Sequence, residues 1–105
     1  MILNMGNSNI LQVINEQMRG IWYDQNNRVW QFLPEADGAG TLLFDDKKLK
    51  YRFIDNKEPK LDVEYQATYR YTSLFNGCEI HLEKNKQEFA YLSRKKLITE
   101  LAALI

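Results

Sequence analysis

The chain has 105 residues, 45% hydrophobic and 27% charged, which is the size and composition of one globular domain. Its 14 basic and 14 acidic residues cancel, so no net charge favours nucleic acid or an anionic membrane surface. No apolar run reaches the roughly 18 residues of a membrane-spanning helix, and the first residues do not resemble a secretory signal. A single cysteine excludes an intramolecular disulfide and a Cys/His zinc cluster. We therefore expect a cytoplasmic protein without a metal or a cofactor.

The first predicted element is a helix over residues 8–19. Ser8 can cap its N-terminus by accepting a hydrogen bond from an early backbone N–H. Gly20 stands where the chain leaves the helix, because glycine adopts a left-handed conformation at little cost. Apolar residues recur at helical spacing along one face: Ile10, Leu11, Ile14 and Met18.

From residue 20 to residue 92 the hydrophobic period is two, which predicts a series of short strands. Asp37-Gly38 and Asn76-Gly77 are the strongest hairpin signals, because such turns need residues that tolerate positive φ. Connections of only a few residues join antiparallel neighbours and cannot form parallel crossovers. The predicted strands begin near Ile21, Arg28, Thr41, Lys48, Leu61, Tyr69, Cys78 and Glu88.

The fourth and fifth strands show the clearest alternation. Basic residues on the outer face of one strand would lie beside acidic residues of the next, and such pairs help to fix the register. We expect six residues to point inward, namely Tyr51, Phe53, Leu61, Val63, Ile80 and Leu82. We expect six to point outward, namely Lys50, Arg52, Asp62, Glu64, Glu79 and Glu83.

Residues 93–105 are predicted to form a second helix, with an apolar stripe made of Leu97, Ile98, Leu101, Ala102 and Ile105. The connection after Leu92 is short, so we expect this helix to pack on its own barrel. Packing against a second copy with two-fold symmetry is the alternative, so the protein is a monomer or a homodimer.

About eight short strands with tight turns predict a mainly β, single domain over residues 1–105. Its expected architecture is an antiparallel up-and-down barrel, which removes exposed strand edges, with a short N-terminal helix and an amphipathic C-terminal helix.

The segments Gly20-Ile21-Trp22, Trp30-Gln31-Phe32 and Asp37-Gly38-Ala39-Gly40-Thr41-Leu42 are similar to the opening strands of small lipocalin-like domains. Over roughly residues 17–94 the chain resembles this calycin-type family. The resemblance implies a barrel with an N-terminal helix across one end and, in many members, an apolar ligand inside. The C-terminal helix directly after the last strand departs from the family pattern.

The aromatic residues are the most informative candidates for a site. One interpretation is a barrel interior that binds a small apolar ligand through Trp30, Phe32, Tyr51, Phe53, Tyr65, Tyr69 and Tyr91. The other, which we favour, is that these rings fill the interior, since an eight-stranded barrel has little spare space. Arg52 and Arg70 alternate outward, so any enclosed ligand would be neutral or largely apolar.

Catalysis has no positive support in the sequence. His81 is predicted on an outer face between Glu79 and Glu83, where ordinary alternation explains the spacing better than a metal site. Cys78 is predicted on the inner face, where a buried thiol is unreactive. We therefore expect a non-enzymatic binding module for a small apolar ligand or a protein partner.

Two alternatives to this function remain open. One is a protein-interaction domain with a fully packed core, of the inhibitor or immunity type. The other is a pleckstrin-homology-like domain, because seven strands followed by an amphipathic helix is also the order of that fold.

Overall fold

The structure, a computed structural model, describes residues 2–64, 67–74 and 77–95. Each strand pairs antiparallel with its neighbours in sequence and β8 returns to β1, so the described strands form a closed barrel. This confirms the predicted eight-stranded up-and-down architecture, whereas the predicted C-terminal helix lies outside the described residues. The elements are α1 (Ile2–Gln17), β1 (Gly20–Tyr23), β2 (Val29–Pro34), β3 (Ala39–Phe44), β4 (Lys47–Ile54), β5 (Lys60–Val63), β6 (Ala67–Leu74), β7 (Glu79–Lys84) and β8 (Gln87–Ser93).

The N-terminal helix begins at Ile2, whereas the sequence predicts a start near Ser8, so the helix is longer than predicted. A serine suits a helix N-terminus, but it is also tolerated inside a helix at a small cost in propensity. The preceding residues include good helix formers such as Leu3, so nothing obliges the helix to start at Ser8. No helix in the described part of the chain is both long enough and apolar enough to cross a membrane.

Three hairpin connections place two consecutive residues at positive φ. They are Asp37 and Gly38, Asp45 and Asp46, and Asn85 and Lys86, with φ between 54° and 75°. Two positive φ values are the signature of the turn whose twist matches that of the flanking strands. Asp, Asn and Gly tolerate this conformation best, so the turn residues explain why the strands reverse where they do.

The predicted register of β4 and β5 is confirmed. Tyr51 pairs with Val63, Arg52 with Asp62, and Phe53 with Leu61. All six residues expected inside are buried. Lys50, Arg52, Asp62 and Glu64 are exposed as expected, whereas Glu79 and Glu83 are half-buried at the two ends of β7. Glu83 lies opposite Arg70 of β6 in the strand pairing.

One end of the barrel, which we call the closed end, is sealed around Trp22. The indole is fully buried, and its Nε1 donates to the Met18 carbonyl oxygen at 2.8 Å. The Arg94 guanidinium lies 3.8 Å from the centre of the indole ring, a cation–π contact. Arg94 also donates to the carbonyl oxygens of Gln17, Arg19 and Ile21, at 2.8, 3.0 and 3.0 Å. A single side chain thus joins the end of α1, the start of β1 and the end of β8.

Polar side chains dock α1 onto the sheet at the same end. The buried Asn15 donates through Nδ2 to the Ala39 carbonyl at 3.0 Å and accepts from the Tyr51 hydroxyl at 2.5 Å. Gln12 Oε1 accepts from the Gly38 backbone N–H at 2.7 Å. Burial raises the pKa of the Tyr51 phenol, so this hydroxyl stays protonated and able to donate. These bonds satisfy groups that the helix would otherwise bury unpaired.

A second buried tyrosine provides a test of this argument. Burial raises the pKa of the Tyr71 phenol and the neighbouring Ser73 side chain lowers it by less, but no group within the described residues reaches the hydroxyl with the geometry of a hydrogen bond. We expect Tyr71→Phe to raise the free energy of unfolding by up to about 1 kcal/mol, because it removes an unsatisfied buried group. The matched Tyr51→Phe should lower it by about 1–3 kcal/mol, because it leaves the Asn15 oxygen unpaired. Urea denaturation of both variants measures the difference, and shifts of the same sign would contradict the assignment.

Candidate functional site

Aromatic rings run through the barrel interior in one continuous series. Trp30 contacts Phe32, with ring centres 6.4 Å apart, and Phe32 contacts Tyr51 at 5.2 Å. Tyr51 then contacts Phe53 at 5.9 Å, and Phe53 contacts Tyr71 at 5.3 Å, the last three contacts being edge-to-face. All five residues are buried. Rings in such contact occupy the centre of the barrel and stabilise the fold beyond the area that they bury.

Most of the predicted ligand-binding residues lie inside the barrel. Five are buried there, namely Trp30, Phe32, Tyr51, Phe53 and Tyr69. Tyr65 lies outside the described residues. The predicted inward position of Tyr91 is wrong: the residue is half-buried on the outer face, where its ring contacts that of His81 with ring centres 4.7 Å apart.

The error at Tyr91 has a physical cause in β8. Residues 89–92 are all apolar or aromatic, so alternation could not decide which of them point inward. Ala90 and Leu92 point into the barrel, with side chains 1% and 0% exposed. Tyr91, which lies between them in the strand, therefore points outward. In the pairing with β7, Leu82 lies opposite Ala90, whereas the next residue, Glu83, lies opposite Glu88. The register therefore shifts at Phe89. A bulge of this kind re-aims the side chains beyond it.

Cys78 was also predicted wrongly, because its thiol is exposed and does not belong to the inner face. It lies one residue before β7 begins, in the turn that follows Gly77. The alternation of a strand does not extend into a turn. The inward residues of β7 are Ile80 and Leu82, as predicted.

The barrel end opposite α1, which we call the open end, retains a small apolar recess of about 50 Å³. Pockets that enclose small-molecule ligands usually measure about 300–1,000 Å³, so this recess has room for little more than one small side chain. Phe89 is 42% exposed there and stacks on Tyr69, with ring centres 4.6 Å apart. The lining includes Trp30, Leu42, Phe44, Leu49, Tyr69 and Phe89, with Lys47 as its cation.

A buried carboxylate organises the turn beside the open end. Asp24 is fully buried and accepts from the backbone N–H groups of Asn26 and Arg28, both at 2.9 Å. It also accepts from Arg28 Nε at 3.0 Å and Trp30 Nε1 at 3.1 Å. Burial raises the pKa of Asp24, but the hydrogen bonds from the Arg28 backbone N–H, Trp30 and the Asn26 backbone N–H, together with the Arg28 charge, outweigh it, so the pKa lies below its usual value.

Asp24 therefore has a structural role, because donors from the protein itself occupy its oxygens. The sequence pattern, which predicts strands that begin near Ile21 and Arg28, does not single out the carboxylate that lies between them. The available signal was an Asp at the start of a turn, where its side chain commonly accepts from the backbone two residues later.

The side chain of Gln25 joins the first and last strands beyond the point at which their backbones pair. β1 and β8 pair at Tyr23 and Ser93. Gln25 Nε2 donates to the Phe89 carbonyl oxygen at 3.2 Å, and its Oε1 accepts from the Tyr91 N–H at 3.0 Å. The side-chain amide thus supplies one donor and one acceptor, as a backbone amide of a paired strand would, and binds the backbone of β8 on both sides of Ala90.

The outside of the barrel is divided into a charged side and an uncharged side. Strands β4 to β6 carry charged outward residues such as Arg52, Asp62 and Arg70. The outward residues of β1 to β3 are instead uncharged and mostly apolar. We call them the β1–β3 face, defined by Ile21, Tyr23, Val29, Gln31, Leu33 and Leu43.

Three apolar side chains of this face are exposed to solvent. Ile21 is 45%, Val29 46% and Leu33 36% exposed. Contiguous exposed apolar side chains on a small domain usually mark a surface that another element covers. Alternation in the sequence does not predict this face, because the apolar residues of β1 and β2 fall on both sides of each strand.

Metal binding finds no support in this geometry, since no three His, Cys, Asp or Glu side chains within the described residues come together to hold an ion. Comparison with known proteins found no matching protein-family model, no matching curated protein and no matching solved structure.

Proposed function

We propose that this protein is a non-enzymatic binding module that binds a protein partner at the open end of its barrel. The observation that carries the proposal is the recess at that end, which measures about 50 Å³ and lies beside an interior filled by aromatic rings. A space of this size suits one apolar side chain presented by a partner better than a whole enclosed ligand.

The surroundings of the recess support the same interpretation. Protein interfaces typically combine an apolar, aromatic centre with a polar rim. At the open end the aromatic centre is Phe89, 42% exposed, with the half-buried Phe44 nearby. The turns at residues 45–46 and 85–86 add exposed Asp, Asn and Lys side chains of both signs around it.

A small apolar ligand is the second candidate function, supported by the apolar lining of the same recess. Only one end of such a ligand would enter, and the remainder would lie against Phe89. The calycin-type, lipocalin-like identity is part of this second proposal. The eight-stranded closed barrel and the position of Trp22 at the end beside α1 are consistent with it.

Native mass spectrometry of the protein purified from its own host tests both candidates. We expect a co-purifying protein that is lost in Phe89→Lys and retained in the matched control Leu33→Lys, an exposed apolar residue of the β1–β3 face. A retained small molecule with the same dependence would favour the second candidate. A partner that survives Phe89→Lys would contradict binding at the open end.

A further inference from the structure

Lys47 places a positive charge at the mouth of the barrel. It is the first residue of β4, in which Tyr51 and Phe53 are buried inside the barrel and Leu49 packs against the core. Side chains two residues apart in a strand lie on the same face, so Lys47 belongs to the inward-facing series of β4. The recess at the open end accordingly has Lys47 in its lining. Arg52 lies on the other face of the same strand and is exposed.

The Lys47 ammonium group has no counterion in the described part of the chain. The neighbouring turn residues Asp45 and Asp46 form no ion pair with it there. Arg28, a second cation at the open end, is already paired, because its Nε donates to the buried Asp24 carboxylate at 3.0 Å. All other side chains that line the recess are apolar or aromatic. The recess thus combines an apolar wall with a positive charge that is available to a ligand.

This charge decides which ligand chemistry suits the recess. Four aromatic rings contribute to the lining, namely Trp30, Phe44, Tyr69 and Phe89. Aromatic rings arranged around a small space can hold a methylated ammonium group, but such a cation would be repelled by Lys47 at close range. A carboxylate attached to an apolar group would instead pair with the ammonium ion while the apolar group filled the recess. The recess therefore suits an apolar group that carries a carboxylate.

We propose that the open end binds the C-terminal residue of a partner polypeptide, with its apolar side chain in the recess and its terminal carboxylate paired with Lys47. The inference rests on the proposed function and names the part of the partner that binds. In a C-terminal residue the side chain and the carboxylate leave the same Cα, so both can reach one recess of about 50 Å³. In an extended segment, an acidic residue next to an apolar one points to the opposite face, away from the recess. A terminal carboxylate therefore matches this site better than an acidic side chain does.

An NMR titration of the intact chain with synthetic ligands tests the proposal. The probe is acetyl-Gly-Ser-Gly-Ser-Val with a free C-terminal carboxylate. Its C-terminal amide is the first control, because it retains the apolar side chain and loses the charge. Acetyl-Gly-Ser-Asp-Val-Ser-amide is the second control, because its carboxylate belongs to an internal side chain. Isovalerate, an apolar carboxylate without a peptide backbone, is the third control.

We expect the free acid to bind at least about tenfold more tightly than each control, a difference that one charge-assisted hydrogen bond can supply. Its binding should shift the indole N–H signal of Trp30, which lines the recess, and leave that of Trp22 at the closed end unchanged. Lys47→Met should abolish the preference for the acid over the amide. Lys48→Met removes the same charge from the adjacent exposed residue on the other face of β4 and should retain the preference.

The titration separates the failure of this inference from the failure of the proposed function. Equal binding of the acid and the amide, both lost in Phe89→Lys, would overturn the role of the carboxylate and leave the proposed function in place. The absence of any shift at Trp30 would also overturn the inference, whereas the proposed function is contradicted only by a host partner that survives Phe89→Lys. Isovalerate or the internal-Asp peptide binding as tightly as the probe would overturn the choice of a C-terminal residue.

Discussion

Replacing Trp22 by Ala is expected to lower the free energy of unfolding by about 3–5 kcal/mol, the range for deletion of a buried large aromatic side chain. The indole is 0% exposed and belongs to the core at the closed end. Its removal would leave a cavity and free the Met18 carbonyl, which accepts the indole N–H at 2.8 Å. It would also leave Arg94 without the ring on which its guanidinium lies.

Chemical denaturation with a near-ultraviolet signal measures this change. Trp22→Phe is the informative intermediate, because it retains an aromatic ring under Arg94 but loses the N–H. We expect it to cost about 1–3 kcal/mol, a lost buried hydrogen bond together with a smaller cavity. Val29→Ala, at a position 46% exposed, serves as the surface control and should change the stability by less than about 1 kcal/mol. A Trp22→Ala protein with a wild-type midpoint would show that this ring does not hold the closed end together.

Replacing Asp24 by Ala is expected to lower the free energy of unfolding by about 2–4 kcal/mol, because several donors lose their acceptor at once. The largest part should come from the buried Trp30 Nε1, which donates to Asp24 at 3.1 Å. The backbone N–H groups of Asn26 and Arg28 contribute the rest. The Arg28 side chain, 52% exposed, can return to water at little cost.

The same carboxylate makes stability depend on pH. The pKa of Asp24 in the folded protein lies below its usual value of 3.8, so its stabilisation is fully present above that value. The stabilisation is lost as the pH falls through the lower, folded-state pKa. Glu16 and Asp55 also have lowered pKa values, so the wild-type curve alone does not isolate Asp24.

Thermal midpoints of the wild type and Asp24→Asn between pH 2 and pH 6 separate these contributions. The isosteric amide cannot ionise, so we expect the difference in stability between the two proteins to shrink as the pH falls below about 4. A pH-independent difference would mean that the charge of Asp24 does not contribute, and that only its shape and hydrogen bonds matter.

The local sequence pattern was sufficient to predict the strands and the register in most of the barrel. In β4 and β5, charged residues alternate with aromatic and branched ones, so a slip of one residue would bury charges, and the predicted pairing of Tyr51 with Val63 is observed. The residue types of a turn likewise predict its position, since Asp37 and Gly38 adopt positive φ where the sequence predicts a hairpin. These features depend on neighbours in sequence or on the next strand, so the sequence by itself determines them.

Tertiary structure alone decided the features that depend on contacts distant in the chain. Phe89 and Tyr91 are equally apolar positions in sequence, and only the shifted pairing with β7 sends one to the open end and the other outside. The role of Arg94 required the end of β8 to meet the start of β1, and that of Asp24 required Trp30 to bring its N–H to the turn. Barrel closure creates these contacts between residues that no local period relates, and for that reason the open end and the β1–β3 face could be identified only in the folded chain.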